Sequence, residues 1–176
     1  FFLSPRVGYD FPFFQNNTPF IDYKGGLELG ASADYYWKWF GLGIDFDYIK
    51  NQPRSTYDYS NLINGPRNAF ITSSDLSEDK ITRTFLGIGP DYRWYNTSGK
   101  FSLELNTRVG ISSIKGGRVY EEGISNPLGG GTVRDPLNFH AGYDFKYKLA
   151  SKLQLKANYF FNDYIGAHAG LYYIQH

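Results

Sequence analysis

The chain has 176 residues, enough for one domain, and 19% of it is Phe, Tyr or Trp alongside 20 glycines, a pairing that suits strands with one apolar and one polar side. A formal net charge of +1 with no run of like charges gives no bulk attraction to nucleic acid, so no nucleic-acid partner is expected. Cysteine is absent, which excludes disulfides, thiolate metal sites and thiol nucleophiles.

No stretch approaches the roughly 20 consecutive apolar residues of a membrane-crossing helix, so any membrane span must be made of strands. Residues 1–6 lack a basic segment followed by an apolar core and a small-residue cleavage site, and read as a mature start or a domain cut-out. In chain order, the first expected strand sets Val7, Tyr9, Phe11 and Phe13 against Arg6, Gly8 and Asp10. Over residues 24–35 the odd positions, from Gly25 and Leu27 to Tyr35, are apolar or small, while the even ones include Lys24, Glu28 and Asp34. Residues 40–48 place Phe40, Leu42, Ile44, Phe46 and Tyr48 against Gly41, Gly43, Asp45 and Asp47. Residues 83–94 alternate Thr84, Leu86, Ile88, Pro90, Tyr92 and Trp94 with Arg83, Gly87, Gly89, Asp91 and Arg93, Phe85 being an aromatic exception on the polar side. From Lys100 to Ile111 the alternation is unbroken, with Glu104, Asn106 and Arg108 opposite Leu103, Leu105 and Val109. A sixth strand over 137–148 sets Asp144, Lys146 and Lys148 against Tyr143, Phe145 and Tyr147. A seventh over 153–162 sets Gln154, Lys156 and Asn158 against Leu153, Leu155 and Tyr159, and an eighth over 167–173 sets His168 and Gly170 against Ala167, Ala169 and Leu171.

No charge falls on any apolar side, and these strands approach or exceed the 9–11 residues that cross a bilayer at a tilt, longer than the five or six usual in a soluble sandwich. The connections alternate in length: 36–39, 95–99 and 149–152 are short, 14–23, 49–79 and 115–135 are long, and 162–166 is a brief exception. That pattern predicts an eight-stranded antiparallel up-and-down transmembrane β-barrel with short periplasmic turns, long external loops and both termini periplasmic. Two aromatic girdles are expected. Tyr35, Tyr36, Trp37, Trp39, Phe40, Tyr92, Trp94, Tyr95, Phe101, Phe145, Tyr147 and Tyr173 would lie at the periplasmic end, and Phe11, Phe13, Phe14, Tyr48, Tyr159, Phe161 and Tyr164 at the outer end.

On these strands and girdles the chain resembles the eight-stranded outer-membrane β-barrel superfamily, which includes the OmpA transmembrane domain and the OmpX and OmpW-like proteins, and more loosely the barrels common in Bacteroidetes. The resemblance covers nearly the whole chain and rests on pattern. It implies a bacterial outer-membrane location and membrane lipid and lipopolysaccharide as surroundings, with other outer-membrane proteins or a periplasmic domain as partners. Such barrels commonly finish on an aromatic residue, whereas this chain reads Tyr173-Ile174-Gln175-His176.

Eight strands leave an interior just wide enough for side chains, so the inward charges should neutralise one another. The expected interior network is Glu28, Asp45, Asp47, Arg83, Asp91, Glu104, Arg108, Asp144 and Lys156. The external loops would bring Lys50, Arg54, Arg67, Lys115, Arg118 and Arg134 to lipopolysaccharide phosphates. His140, His168 and His176 are the natural candidates for acid/base work. His168, however, precedes Ala169 and Gly170, where the lipid-deacylating barrels carry a serine two residues on, and its parity points inward. His140 shares the inward side with Asp144, near Glu104 and Arg108 if neighbouring strands pair in simple register. Asp75, Glu78 and Asp79 lack calcium-loop spacing. No catalytic residue, metal or cofactor is therefore expected. The function expected is a structural, anchoring or accessory barrel with a closed interior that displays its loops; a narrow solute channel and a lipid A modifying enzyme are the alternatives.

Overall fold

The computed structural model describes residues 1–13, 21–55, 71–125 and 131–176, and every regular element among them is a β-strand. In chain order they are β1 (Phe2–Asp10), β2 (Ile21–Trp37), β3 (Phe40–Ser55), β4 (Ile71–Glu78), β5 (Ile81–Tyr95), β6 (Phe101–Gly116), β7 (Val119–Ser125), β8 (Val133–His140), β9 (Tyr143–Phe160) and β10 (Gly166–Gln175). All pairings are antiparallel. A seven-stranded sheet in the order β1-β2-β3-β5-β6-β9-β10 curls so that its two halves face each other, and β4-β7-β8 form a second, three-stranded sheet.

Short turns at 38–39, 96–100 and 161–165 lie at one end, and strand direction puts Asp10, Ile21 and Ser55 at the other, the long end. Local chemistry closes the short turns. Lys38 takes a left-handed φ of 63°, Asn96 Oδ1 accepts the Phe101 N–H at 3.1 Å, and Asn162 Oδ1 accepts the N–H groups of Tyr164 and Ile165, both at 2.8 Å. At the long end β5, β6 and β9 pass into β4, β7 and β8 through breaks at 79–80, 117–118 and 141–142. Gly117 and Gly142 both have φ of 78° there, a left-handed geometry that a side chain would strain. The second sheet thus continues three wall strands, β4 and β7 through stretches expected to be loops and β8 through 137–140, expected to open the sixth strand, which instead breaks at 141–142.

The strand count differs from the sequence expectation. Residues 149–152 are not a turn: β9 runs unbroken through them, with Ala150 beside Gly110 and Lys152 beside Arg108. The cause is a β-bulge in which Lys146 and Tyr147 together oppose Ser113, Tyr147 adopts a φ of 53°, and the inward side switches from one parity to the other. In sequence that switch looks like the end of one strand and the start of another, yet Leu149-Ala150-Ser151-Lys152 carries no Gly, Pro, Asn or Asp to make a turn. The described wall therefore has seven strands, and His176 ends at the long-connection end, opposite Phe1, so the expectation of two termini at one end is corrected. The aromatics move accordingly: Phe145, Tyr147 and Tyr173 lie toward the long end, and Tyr159, Phe161 and Tyr164 toward the short-turn end. Phe14 lies outside the described residues.

Burial is inverted relative to a soluble domain. The inward side chains are Asp, Glu, Arg, Lys, Asn and Ser, while Leu42, Ile44, Phe46, Ile88, Leu103, Val109, Leu153 and Leu155 face outward and are exposed. A small apolar group, Ile49, Ile81, Phe85, Ile114 and Val119, is buried inward toward the long end. Phe85, the exception in the alternation, is thus a true inward residue, and Gly87 leaves the room its ring occupies.

Candidate functional site

The interior of the curled sheet gathers the chain's chemistry. Arg108 on β6 is its hub, 2.8 Å from Asp34 on β2, 2.6 Å from Asp91 on β5 and 3.6 Å from Asp45 on β3, and it also donates to the carbonyls of Gly89 and Pro90 at 3.0 and 3.1 Å. Lys152 on β9 reaches Asp45 at 3.0 Å and Asp47 at 2.7 Å, and Arg6 on β1 lies 2.7 Å from Asp47 and 3.9 Å from Glu28. Lys156 pairs with Glu104 and lies 3.6 Å from Asp34. Arg93 donates to Glu104 from Nε at 2.9 Å and from Nη2 at 2.5 Å, and its guanidinium lies between the rings of Phe2 at 4.1 Å and Tyr36 at 3.9 Å. One chain of ion pairs therefore runs from Arg6 through Asp47, Lys152, Asp45, Arg108, Asp34, Lys156 and Glu104 to Arg93. A second cluster toward the long end joins Arg83 to Asp10, to Asn51 at 2.9 Å and to His176 at 3.2 Å.

Glycine makes the room for this packing. A Cβ on Gly43 would strike Asp34, Arg108 and Asp91, and one on Gly30 would strike Glu28, Arg6 and Asp47, so only a bare backbone lets carboxylates and guanidinium meet there.

Of the expected network, Glu28, Asp45, Asp47, Arg83, Asp91, Glu104, Arg108 and Lys156 all face inward and are buried. Asp144 is the correction: it sits beyond the β9 bulge, its backbone beside Lys115, and it is exposed. Arg6, Asp10, Asp34 and Arg93 stand on the polar sides in sequence and join the network in space. Lys152 was hidden by its assignment to a turn, although counting back by twos from Lys156 and Gln154 would have placed it inward.

The remaining candidates are dispersed. His140 closes the break between β8 and β9, its Nδ1 accepting the Gly142 N–H at 3.1 Å, and it has no place beside Glu104 or Arg108. Among the basic residues expected on loops, Lys50, Arg54 and Lys115 are on strands, Arg118 lies at a break and Arg134 on β8. Arg54 is 3.9 Å from Asp22, Arg118 is 3.1 Å from Asp79, and Arg134 is 3.0 Å from both Asp75 and Glu122. Arg67 lies outside the described residues. The Tyr120 hydroxyl donates to Glu122 at 2.6 Å, and that bond, reinforced by Arg134, holds the Glu122 carboxyl below its usual range. Among the described residues no three His, Asp or Glu side chains gather as a metal ion requires.

This arrangement neutralises buried charge: among the described residues each interior carboxylate of the chain from Arg6 to Arg93 lies beside an Arg or Lys. The chain has no match among protein-family models, curated proteins or solved structures.

Proposed function

We propose that this protein is the wall of an eight-stranded β-barrel in a bacterial outer membrane, with a sealed interior, acting as a structural, anchoring or accessory component that holds an outer sheet and loops above the lipid. The observation that carries the reading is the inversion of burial: charges neutralise one another inside while large apolar side chains face outward along every wall strand. Hydrocarbon solvates such a surface and water does not. Rings at the short-turn end support it, with Tyr35 and Trp37 at 4.8 Å, Trp39 and Tyr92 at 6.2 Å, and Tyr92 and Trp94 at 6.5 Å forming a band suited to a membrane interface. In this reading the short turns are periplasmic and the β4-β7-β8 sheet is external. Lys50, Arg54, Arg67, Lys115, Arg118 and Arg134 would then lie near lipopolysaccharide phosphates, and a periplasmic domain or a larger outer-membrane assembly is the partner class.

The test is insertion and orientation. Refolded with phospholipid vesicles, the protein should float with them and resist alkaline extraction, and protease added to intact cells should cut between residues 56 and 70 while sparing 38–39. Protein left in the aqueous fraction overturns the membrane reading, and cleavage at 38–39 with protection at 56–70 inverts it.

A further inference from the structure

Toward the long end the outward side of the wall changes from apolar to basic. On β3 the outward series runs Leu42, Ile44, Phe46 and Tyr48, and then Lys50 and Gln52. A bulge in β2 brings a second lysine to this side. Gly25 and Gly26 together oppose Asn51, so Lys24, which alternation alone turns inward, stands opposite outward-facing Gln52 and is exposed. Both glycines are needed there: a Cβ on Gly26 would strike the Lys50 carbonyl, and one on Gly25 the Tyr9 ring. The third lysine comes from the break before β5. The β3–β5 ladder ends with Asn51 opposite Ile81, and Lys80 follows beside Gln52. Gly25, Leu27, Tyr48, Lys50, Gln52 and Lys80 line a cavity of about 320 Å³, within the range of about 300–1,000 Å³ found for small-ligand sites.

No carboxylate answers these lysines. Among the described residues Lys24, Lys50 and Lys80 make no ion pair, whereas Arg54, Arg118 and Arg134 are held by Asp22, Asp79 and the Asp75–Glu122 pair. Lys115 has Asp144 opposite it on β9. Three cations grouped without a counter-charge make a positive field that favours an anion among them. Lysine suits phosphate as a flexible point charge, without the fixed geometry of a guanidinium. Next along the outward side come Leu29, Phe46 and Leu86, all exposed, so an anion seated at the lysines has an apolar surface beside it.

We infer that Lys24, Lys50 and Lys80 form a seat for the phosphate headgroup of a membrane lipid, whose acyl chains lie along Leu29, Phe46 and Leu86. This rests on the membrane reading for the chains and narrows it for the head. Arg54, Arg118 and Arg134 are engaged by the protein's own carboxylates, and Lys24 and Lys80 join Lys50 in their place. The headgroup is a phosphate monoester. At neutral pH it carries about −1.5 to −2, closer to the charge of three ammonium groups than the single charge of a phosphodiester.

The first test needs no bilayer. The protein is folded in dodecylphosphocholine micelles, whose own headgroup is a phosphodiester, and dodecyl phosphate is titrated in as the probe. Amide shifts are expected at 24–27, 50–52 and 80–81, and Lys24→Gln, Lys50→Gln and Lys80→Gln should each weaken binding about fivefold. Arg54→Gln, Arg118→Gln and Arg134→Gln should leave it unchanged; all six positions are exposed, so these variants should fold. Shifts centred on the three arginines, or binding that survives loss of all three lysines, overturn the proposal. Inorganic phosphate separates a lipid seat from a free-anion site. It should compete weakly, and displacement of dodecyl phosphate by an equal concentration of it would overturn the lipid assignment. The second test uses phosphatidylcholine vesicles with a minor share of spin-labelled phosphatidate, which the unmodified protein should immobilise in preference to labelled phosphatidylcholine. Protein that floats with these vesicles but shows no lysine-dependent preference refutes the seat alone. Lysine-dependent binding in micelles by protein that does not float refutes the membrane reading and leaves the phosphate seat standing.

Discussion

Arg108 shows how much of the interior one side chain organises. Its guanidinium faces Asp34, Asp45 and Asp91 from three strands, and all four side chains are fully buried. Such pairing holds charges in place by mutual compensation, so removing the common partner leaves several carboxylates with less cation than they need. Arg108→Met should cost about 3–5 kcal/mol in urea unfolding from lipid vesicles, and a loss under about 1 kcal/mol would mean that water enters and replaces the guanidinium. Outward residues obey the opposite rule. Ile88→Arg, near mid-wall, should cost about 2–4 kcal/mol in the same assay, because hydrocarbon cannot solvate the charge. Leu76→Arg, on the outer sheet and similarly exposed, should stay within about 0.5 kcal/mol. Equal costs at the two sites would remove the distinction between a lipid-facing wall and a wet extension.

Among the elements, β9 departs most from what its sequence suggests. Eighteen residues run as one strand because a bulge at Lys146 and Tyr147 changes the inward parity without ending the ladder. Inserting Gly-Ser after Ala150 should therefore abolish folding, whereas the same insertion after Thr97, in the turn closed by Asn96, should be tolerated; heat-modifiable mobility on gels reads both. The outer sheet offers a pH test at Tyr120, Glu122 and Arg134. Glu122 is depressed in the folded protein, first by the Tyr120 hydroxyl and then by Arg134, so its contribution is present above the ordinary carboxylate value of 4.5 and is lost as pH falls below it. Amide exchange in β7 and β8 should quicken below that value while the wall strands keep their protection, and Glu122→Gln should remove the change. Uniform protection down to pH 3 would show that the trio does not tie the sheet together.

At the scale of the whole molecule, the ion-pair chain from Arg6 to Arg93 and the apolar group around Phe85 fill much of the interior, so in the barrel reading planar-bilayer recordings should show no stable nanosiemens level. A steady open level of that size would favour the channel reading. Much of this architecture is legible in the chain itself. A period of two with charges confined to one parity assigned the inward or outward side of nearly every wall residue, because a strand points successive side chains to opposite faces whatever it pairs with, and Asp45, Asp47, Glu104, Arg108 and Lys156 were therefore identifiable as interior charges. The tertiary structure decided what parity cannot carry. Which carboxylate meets which cation depends on the curl that brings β2 and β3 across to β6 and β9, so the Asp34–Arg108–Asp91 grouping has no signature in spacing. The bulge in β9 inverts parity at the cost of one extra residue, and only the ladder to β6 tells that from a turn; Lys152, Asp144 and the direction of β10 all hang on it. Strand number follows from the same residue pair, since alternation fixes faces locally while closure is a property of the complete set of edges.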